Sequence, residues 1–284
     1  MSIVNIANNE SASSVRGKLN ATIDAVNGLT RNSNITVTVG SGGDVATINE
    51  AMVEISKFKI IHRANPVLAQ INILAGFQMQ EQLLIDGSDY GWVTISSEDS
   101  AVVVNRASLS IDFTNALYGF SSFPAFGVRN GGSLPVINSI FEMNSSGTGT
   151  NRSGVVVIGA GSCCNFADNA GFNNAASNNI FVTQGGIFTG RNCEYNGALQ
   201  GSISASNLAN ISIGNSQVKG WTSYGVQARR GCIIDVRNCD CRVAFSTSVN
   251  DIKVLEGSII SANTALGGVN QTVNTITSDG IIFR

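Results

Sequence analysis

Six stretches of this chain repeat one pattern, and that pattern constrains the fold more than any other feature. They begin at Phe126 (FGVRNGGSLPVINSIFE), Val155 (VVVIGAGSCCNFADNAG), Ile180 (IFVTQGGIFTGRNCEYN), Ile203 (ISASNLANISIGNSQVK), Val226 (VQARRGCIIDVRNCDCR) and Ile252 (IKVLEGSIISANTALGG). Each reads apolar-x-apolar, a short interval, a small corner residue, an alternating strand and usually an Asn. The corners are Gly132, Gly161, Gly186, Ala209, Gly231 and Gly257, at separations of 29, 25, 23, 22 and 26 residues. The Asn residues that follow are Asn138, Asn192, Asn215, Asn238 and Asn263; the second copy breaks the row with Ala167 and offers Asp168. A period of this length with short strands in every copy describes a solenoid. Leucine-rich repeats require a fixed Leu frame, whereas these strands use Ile and Val. The expected fold is therefore all-β: a right-handed parallel β-helix, its bore filled by aliphatic columns and one turn lined by an Asn ladder of stacked amides.

The flanks read differently. Residues 9–29 predict a helix with Val15, Leu19, Ile23, Val26 and Leu29 along one narrow stripe. Such a stripe suits packing on its own domain, or association with copies of itself or with a larger particle. Ile35–Val39 alternates as a strand, the glycine-rich loop 40–43 follows, and Asp44 can cap a short helix over 45–58 that would cover the first coil. The loop lacks the Gly-Lys-Ser/Thr of a phosphate cradle. The tail through Gly280-Ile-Ile-Phe283 would close the last coil.

Composition narrows the functional classes. Seventeen Lys and Arg against 19 Asp and Glu leave a net charge of −2, so no nucleic-acid partner is expected. No apolar run reaches the 18 residues of a membrane span, and the start MSIVNIANNESASS does not read as a secretory signal, so no membrane insertion is expected. His62 is the single histidine and reads as structural. Six Cys fall between Cys163 and Cys241; Cys193 and Cys239 share a coil position but stand two coils apart, too far for a disulfide. Buried free thiols are expected, with inter-subunit disulfides the alternative, and no metal or cofactor.

Residues 35–104, through ITVTVGSGGDVATINEAM and QINILAGFQMQEQLLIDGSDYGWVTI, resemble the opening of the pectin-lyase-like right-handed β-helices of phage tail spikes and fibres. The start ESASSVRGKLNATIDAVN is similar to the virion-proximal start of several phage tail proteins, and NTITSDGIIFR to their C-termini. The resemblance implies a homotrimer located in the virion, fixed to other virion proteins at one end and facing host surface polysaccharide at the other. Some members degrade that polysaccharide and others only bind it. On this reading 1–34 is an anchoring and oligomerisation segment, 35–104 the β-helix entry and cap, 105–268 the coils and 269–284 the closing strands.

Glycoside hydrolysis needs two carboxyl groups about 5–5.5 Å or about 6.5–9.5 Å apart. The best candidate row is Glu142, Asp168 and Glu194, counted from their corner glycines, with Asp235 and Asp240 second. Solvated, non-catalytic carboxylates are the alternative. Sugar binding without catalysis asks for exposed aromatic faces and hydrogen-bonding groups. Tyr195, Trp221 and Tyr224 near the turns, with Arg229 and Arg230 for an acidic sugar or acidic partner, are the candidates. The same aromatics could instead cover a seam between subunits. The expected function is a phage structural protein that contacts host polysaccharide, with a depolymerase or a purely architectural decoration as alternatives.

Overall fold

The structure is a computed structural model, and it describes residues 15–16, 18–19, 30–31, 34–60, 68–114, 121–144, 150–242 and 251–284. Val15 and Leu19 are helical; Ile23, Val26, Leu29 and His62 lie outside the described residues.

The chain is all-β and winds as a parallel β-helix of about 8 turns. The central coils each contribute a strand to two long sheets and a shorter segment to a third. The first sheet has ten strands, running from Ile35–Val39 through Ala69–Ile73, Val93–Ser97 and onward to Ser258–Ser261 and Gly280–Phe283. The second has seven, from Leu83–Asp86 to Ile252–Val254, and all pair in parallel. The third has four, Gln78–Met79, Val102–Val104, Ile140–Met143 and Gly171–Asn173, and is continued by single bridges through Glu194, Gln217, Asp240 and Leu266.

Register places like residues above one another, and this is what makes the core. Ile85, Val128, Val157, Val182, Ala205, Ala228 and Val254 form one inward column; each is buried. Cys164, Phe188, Ile211, Ile234, Ile260 and Ile282 form another. Period-2 alternation in each short strand puts these side chains inside, and the β-branched majority suits a pleated surface buried on one face.

The corners resolve into two adjacent columns. Gly131, Gly161, Gly185, Leu208, Gly231 and Gly257 hold positive φ. One residue later, Gly132, Ser162, Gly186, Ala209, Cys232 and Ser258 are small because the coil below presses on them. A Cβ at Gly132 would stand 2.8 Å from the Ser88 carbonyl oxygen. The corner set read from sequence mixes these two columns. That mixing explains the correction to the Asn ladder. Asn192, Asn215 and Asn238 do share one left-handed column, but its next member is Thr264, not Asn263. On the other side Asn169, not Asn138, takes the left-handed turn and donates its N–H to the Asn192 carbonyl at 2.9 Å. Asn138 ends a strand opposite Ser96. These side chains are exposed, and one amide-to-amide bond joins them, Asn238 Nδ2 to Asn215 Oδ1 at 2.8 Å. Asn is used here because it tolerates left-handed backbone. A second set of Asn contacts runs through the third sheet: Asn173 Oδ1 accepts from Asn196 N, and Asn196 Oδ1 accepts from Lys219 N.

The capping helix spans Ile48–Ser56, shorter than 45–58, and buries Ile48, Ala51, Met52 and Ile55 over the first coil. Its N-cap is Thr47, reciprocated by Glu50 in a capping box. Asp44 instead accepts from Thr38 N and Oγ1 and fastens the glycine loop. Glu81, from a neighbouring coil, accepts from the N–H groups of Ile48 and Asn49 at 2.6 and 3.1 Å.

Candidate functional site: a polar groove on the seven-stranded sheet

The outer face of the seven-stranded sheet changes character along the solenoid. Over the early coils it is covered by Phe113, packed on Val156 and Ile158 with Leu84 and Phe181 alongside. Where that cover ends, the strand Gly201–Ser206 turns only Ser202, Ser204 and Ser206 outward, since Ile203 and Ala205 face the core. Its neighbours carry larger groups at the same levels. Phe181, Ser204 and Gln227 form one outward column, Thr183, Ser206 and Arg229 the next, and Gln184, Asn207 and Arg230 the left-handed turn beyond. Small side chains between larger ones leave a trough. It measures about 530 Å³, a size ordinary for ligand sites.

Nearly every group in it can hydrogen-bond. Ser177, Asn178, Gln200, Ser204, Ser206, Asn207 and Gln227 line it together with Tyr224, Phe181 and the two arginines. Part of this lining is already tied down. Asn178 Nδ2 reaches the Gly201 carbonyl at 2.8 Å and the Tyr224 hydroxyl at 3.1 Å. Ser206 Oγ donates to Thr183 Oγ1 at 2.9 Å. Tyr224 lies across Gly201, where a Cβ would meet the ring at 2.1 Å, so the glycine makes room for the aromatic wall. At one end Arg230 Nε pairs with Glu256 at 3.0 Å, while Arg229 Nη2 stands 4.0 Å from the same carboxylate. The Arg229 Nε–H is buried and makes no hydrogen bond. The residues lining the groove include no Asp or Glu.

Of the sugar-binding candidates, the structure brings Tyr224, Arg229 and Arg230 into this groove and removes the other two from it. Tyr195 is fully buried in the column Val102, Phe141, Phe172, Tyr195 of the third sheet. Its hydroxyl donates to the Gly190 carbonyl at 2.9 Å, and its ring packs 6.2 and 6.0 Å from those of Phe166 and Phe188. Burial pushes that hydroxyl well above the usual tyrosine range. Trp221 is 5% exposed and belongs to the same core, pressed against Gly225. Neither can meet a sugar or line a subunit seam.

The carboxylate row also separates. Glu142 pairs across the ladder with Asn173, and Glu194 with Gly171, so the two occupy different columns two coils apart. Two coil spacings put their backbones about 10 Å apart, before the offset along the strand. Asp168 sits in the preceding turn, beside Cys193. Glu142 accepts from Asn174 Nδ2 at 2.7 Å. Counting from mixed corner columns made the three look aligned. Asp235 and Asp240 belong to different sheets, and each is held by cations: Asp235 by Arg237 and Arg191, Asp240 by Arg242 and Lys219. Those partners depress both carboxyls, which suits neither to donate a proton near neutrality.

All six cysteines are free; five are buried, and Cys163 is half-buried on the outer face of the ten-stranded sheet. Cys163 heads a second surface feature, the column Cys163, Ile187, Asn210, Ile233, Ile259, Ile281. Ile187, Ile233 and Ile259 in it are 43%, 51% and 38% exposed.

Sequence reasoning missed Asn178, Phe181, Ser204, Ser206 and Gln227. The available signal was the strand GSISAS, whose outward positions are all small between bulkier neighbours. No protein-family model matches the sequence, and no curated protein is similar to it.

Proposed function

We propose that this chain is a virion structural protein, a homotrimeric spike or fibre of a phage particle that binds host surface polysaccharide. The observation that carries the binding role is the groove: a trough of hydroxyl and amide groups with aromatic sides on a solenoid wall. Saccharides present apolar ring faces flanked by hydroxyls, and this lining offers a partner for each. The phage attribution rests on the likeness of 35–104 and of both chain ends to tail spike and fibre proteins. The exposed Ile column is a surface that association of copies would bury, in keeping with a trimer. Binding is favoured over hydrolysis because Glu142, Asp168 and Glu194 stand in separate columns.

Two measurements test this. Sedimentation of the full chain should give three times the 29.6 kDa chain mass. Antibodies raised against it should decorate phage particles in electron micrographs. A monomer that labels no particle would refute the assignment.

A further inference from the structure

The charge distribution of the groove says more than that it takes a sugar. Its floor and walls are neutral, its one charged end is formed by Arg229 and Arg230, and a single carboxylate, Glu256, faces both guanidinium groups. Glu256 sits directly over Arg230 in the turn column and leaves Arg229 at the outer limit of an ion pair. Arg229 thus retains a donor, Nε–H, that is shielded from water and unmatched. A ligand does not reach that atom, but the Arg229 side chain is 38% exposed and lines the groove. A carboxylate is an acceptor its open guanidinium edge takes well, because charge-assisted bonds to guanidinium are short and can be bidentate.

We propose that the groove is built for an acidic saccharide, with the carboxylate of a uronic- or sialic-type unit seated on Arg229 and Arg230. This rests on the polysaccharide-binding reading above. The adjoining ring then lies over Ser206 and Ser204, its hydroxyls directed to Gln227 and the serines, and its apolar face toward Phe181 or Tyr224. The neutral hydroxyl and amide lining is what favours a sugar over an acidic protein surface, which would meet one charged end and a long stretch with little to pair. Sulfated or phosphorylated sugars share the anionic chemistry and also pair with guanidinium, so the test separates them from carboxylates.

The register supplies a benign variant for the test. Gln184 occupies the position of Arg230 two coils earlier, with the same left-handed backbone, so Arg230→Gln places a side chain this turn already accepts. The full chain is presented to immobilised polygalacturonate, hyaluronan and polysialic acid, to the carboxyl-reduced form of each, and to sulfated dextran, by interferometry. The expected result is binding to at least one acidic polymer, weakened tenfold or more by carboxyl reduction, by Arg230→Gln and by Arg229→Gln, and weakened by added salt. Ser204→Trp, which fills the trough from its floor, should abolish it. Equal binding of acidic and reduced forms, or indifference to both arginine substitutions, overturns the acidic assignment while leaving the glycan reading in place. Preference for sulfated dextran over every carboxylate polymer overturns the carboxylate. Failure to bind any polymer, with circular dichroism unchanged, overturns both readings.

Discussion

Tyr195 offers the sharpest test of where the interior of this solenoid lies. Truncation to Ala removes a fully buried ring from a cluster with Phe166 and Phe188. Large-to-small changes of that kind cost about 3–5 kcal/mol, and the lost hydroxyl bond to Gly190 adds about 1 kcal/mol. Tyr195→Phe isolates the second contribution. The Gly190 carbonyl keeps a bond from Ser216 Oγ at 3.2 Å, so the Phe variant should lose about 1 kcal/mol and no more. Burial pushes the hydroxyl's pKa up, and so suppresses its ionisation, in the folded state only. Wild type is therefore stabilised by this group below pH about 10, and loses that advantage as the unfolded tyrosine ionises above it. Urea unfolding at neutral pH and at pH 10.5, followed by far-ultraviolet dichroism and as an unfolding rate if refolding is incomplete, reads all three numbers. An Ala variant within about 0.5 kcal/mol of wild type, the range of ordinary surface positions, would refute the burial and the column register with it.

Other outcomes follow from the same geometry. Asp240→Asn removes the negative charge facing Arg242 and Lys219 and should lower stability by about 1 kcal/mol at neutral pH; because the carboxyl is depressed in the fold, the difference should start to shrink as pH falls below about 4, where the unfolded carboxyl protonates, and close only as pH falls through the depressed folded value, which paired acid-unfolding curves would show. A disulfide-exchange reagent at pH 8 should modify Cys163 first and leave Cys193, pushed up to about 11 by burial, unmodified until denaturant is added; mass mapping of labelled peptides decides this. Replacing Ile187, Ile233 and Ile259 together by Ser should shift sedimentation toward the monomer without loss of β dichroism, whereas an unchanged oligomer would clear this face of any role in association. Gly201→Val should displace Tyr224 and weaken polysaccharide binding at least tenfold, with melting temperature as the control.

The solenoid was legible because its signal is periodic and redundant: six copies of an alternating strand leave one consistent way to bury Ile and Val. The corners were legible as a class but not as columns. Left-handed backbone and close coil contact both select small residues one position apart, so Gly132 and Gly161 look equivalent while serving different needs. Every feature counted from those corners inherited the ambiguity, which is how Asn263 displaced Thr264 and how Glu142, Asp168 and Glu194 came to look aligned. Tyr195 was misplaced because a turn in sequence can still be a rung of the third sheet, here reduced to single bridges, and Trp221 because a residue outside any strand can still fold inward, here against Gly225. The groove was hidden for another reason. It is made by the absence of bulk at Ser204 and Ser206, and a gap becomes visible only once register sets Phe181 and Gln227 on either side.

The parallel ladders have a mechanical consequence. Their hydrogen bonds point along the solenoid axis, so tension applied end to end loads the bonds of all the sheets of a rung at once. Peeling the chain away from one tip loads them a few at a time and demands far less force. A rod built this way is strong in pull and weak at its terminal rungs, which makes Thr47, Glu50 and Glu81, by holding the helix over the first coil, the guard on one of its two vulnerable ends.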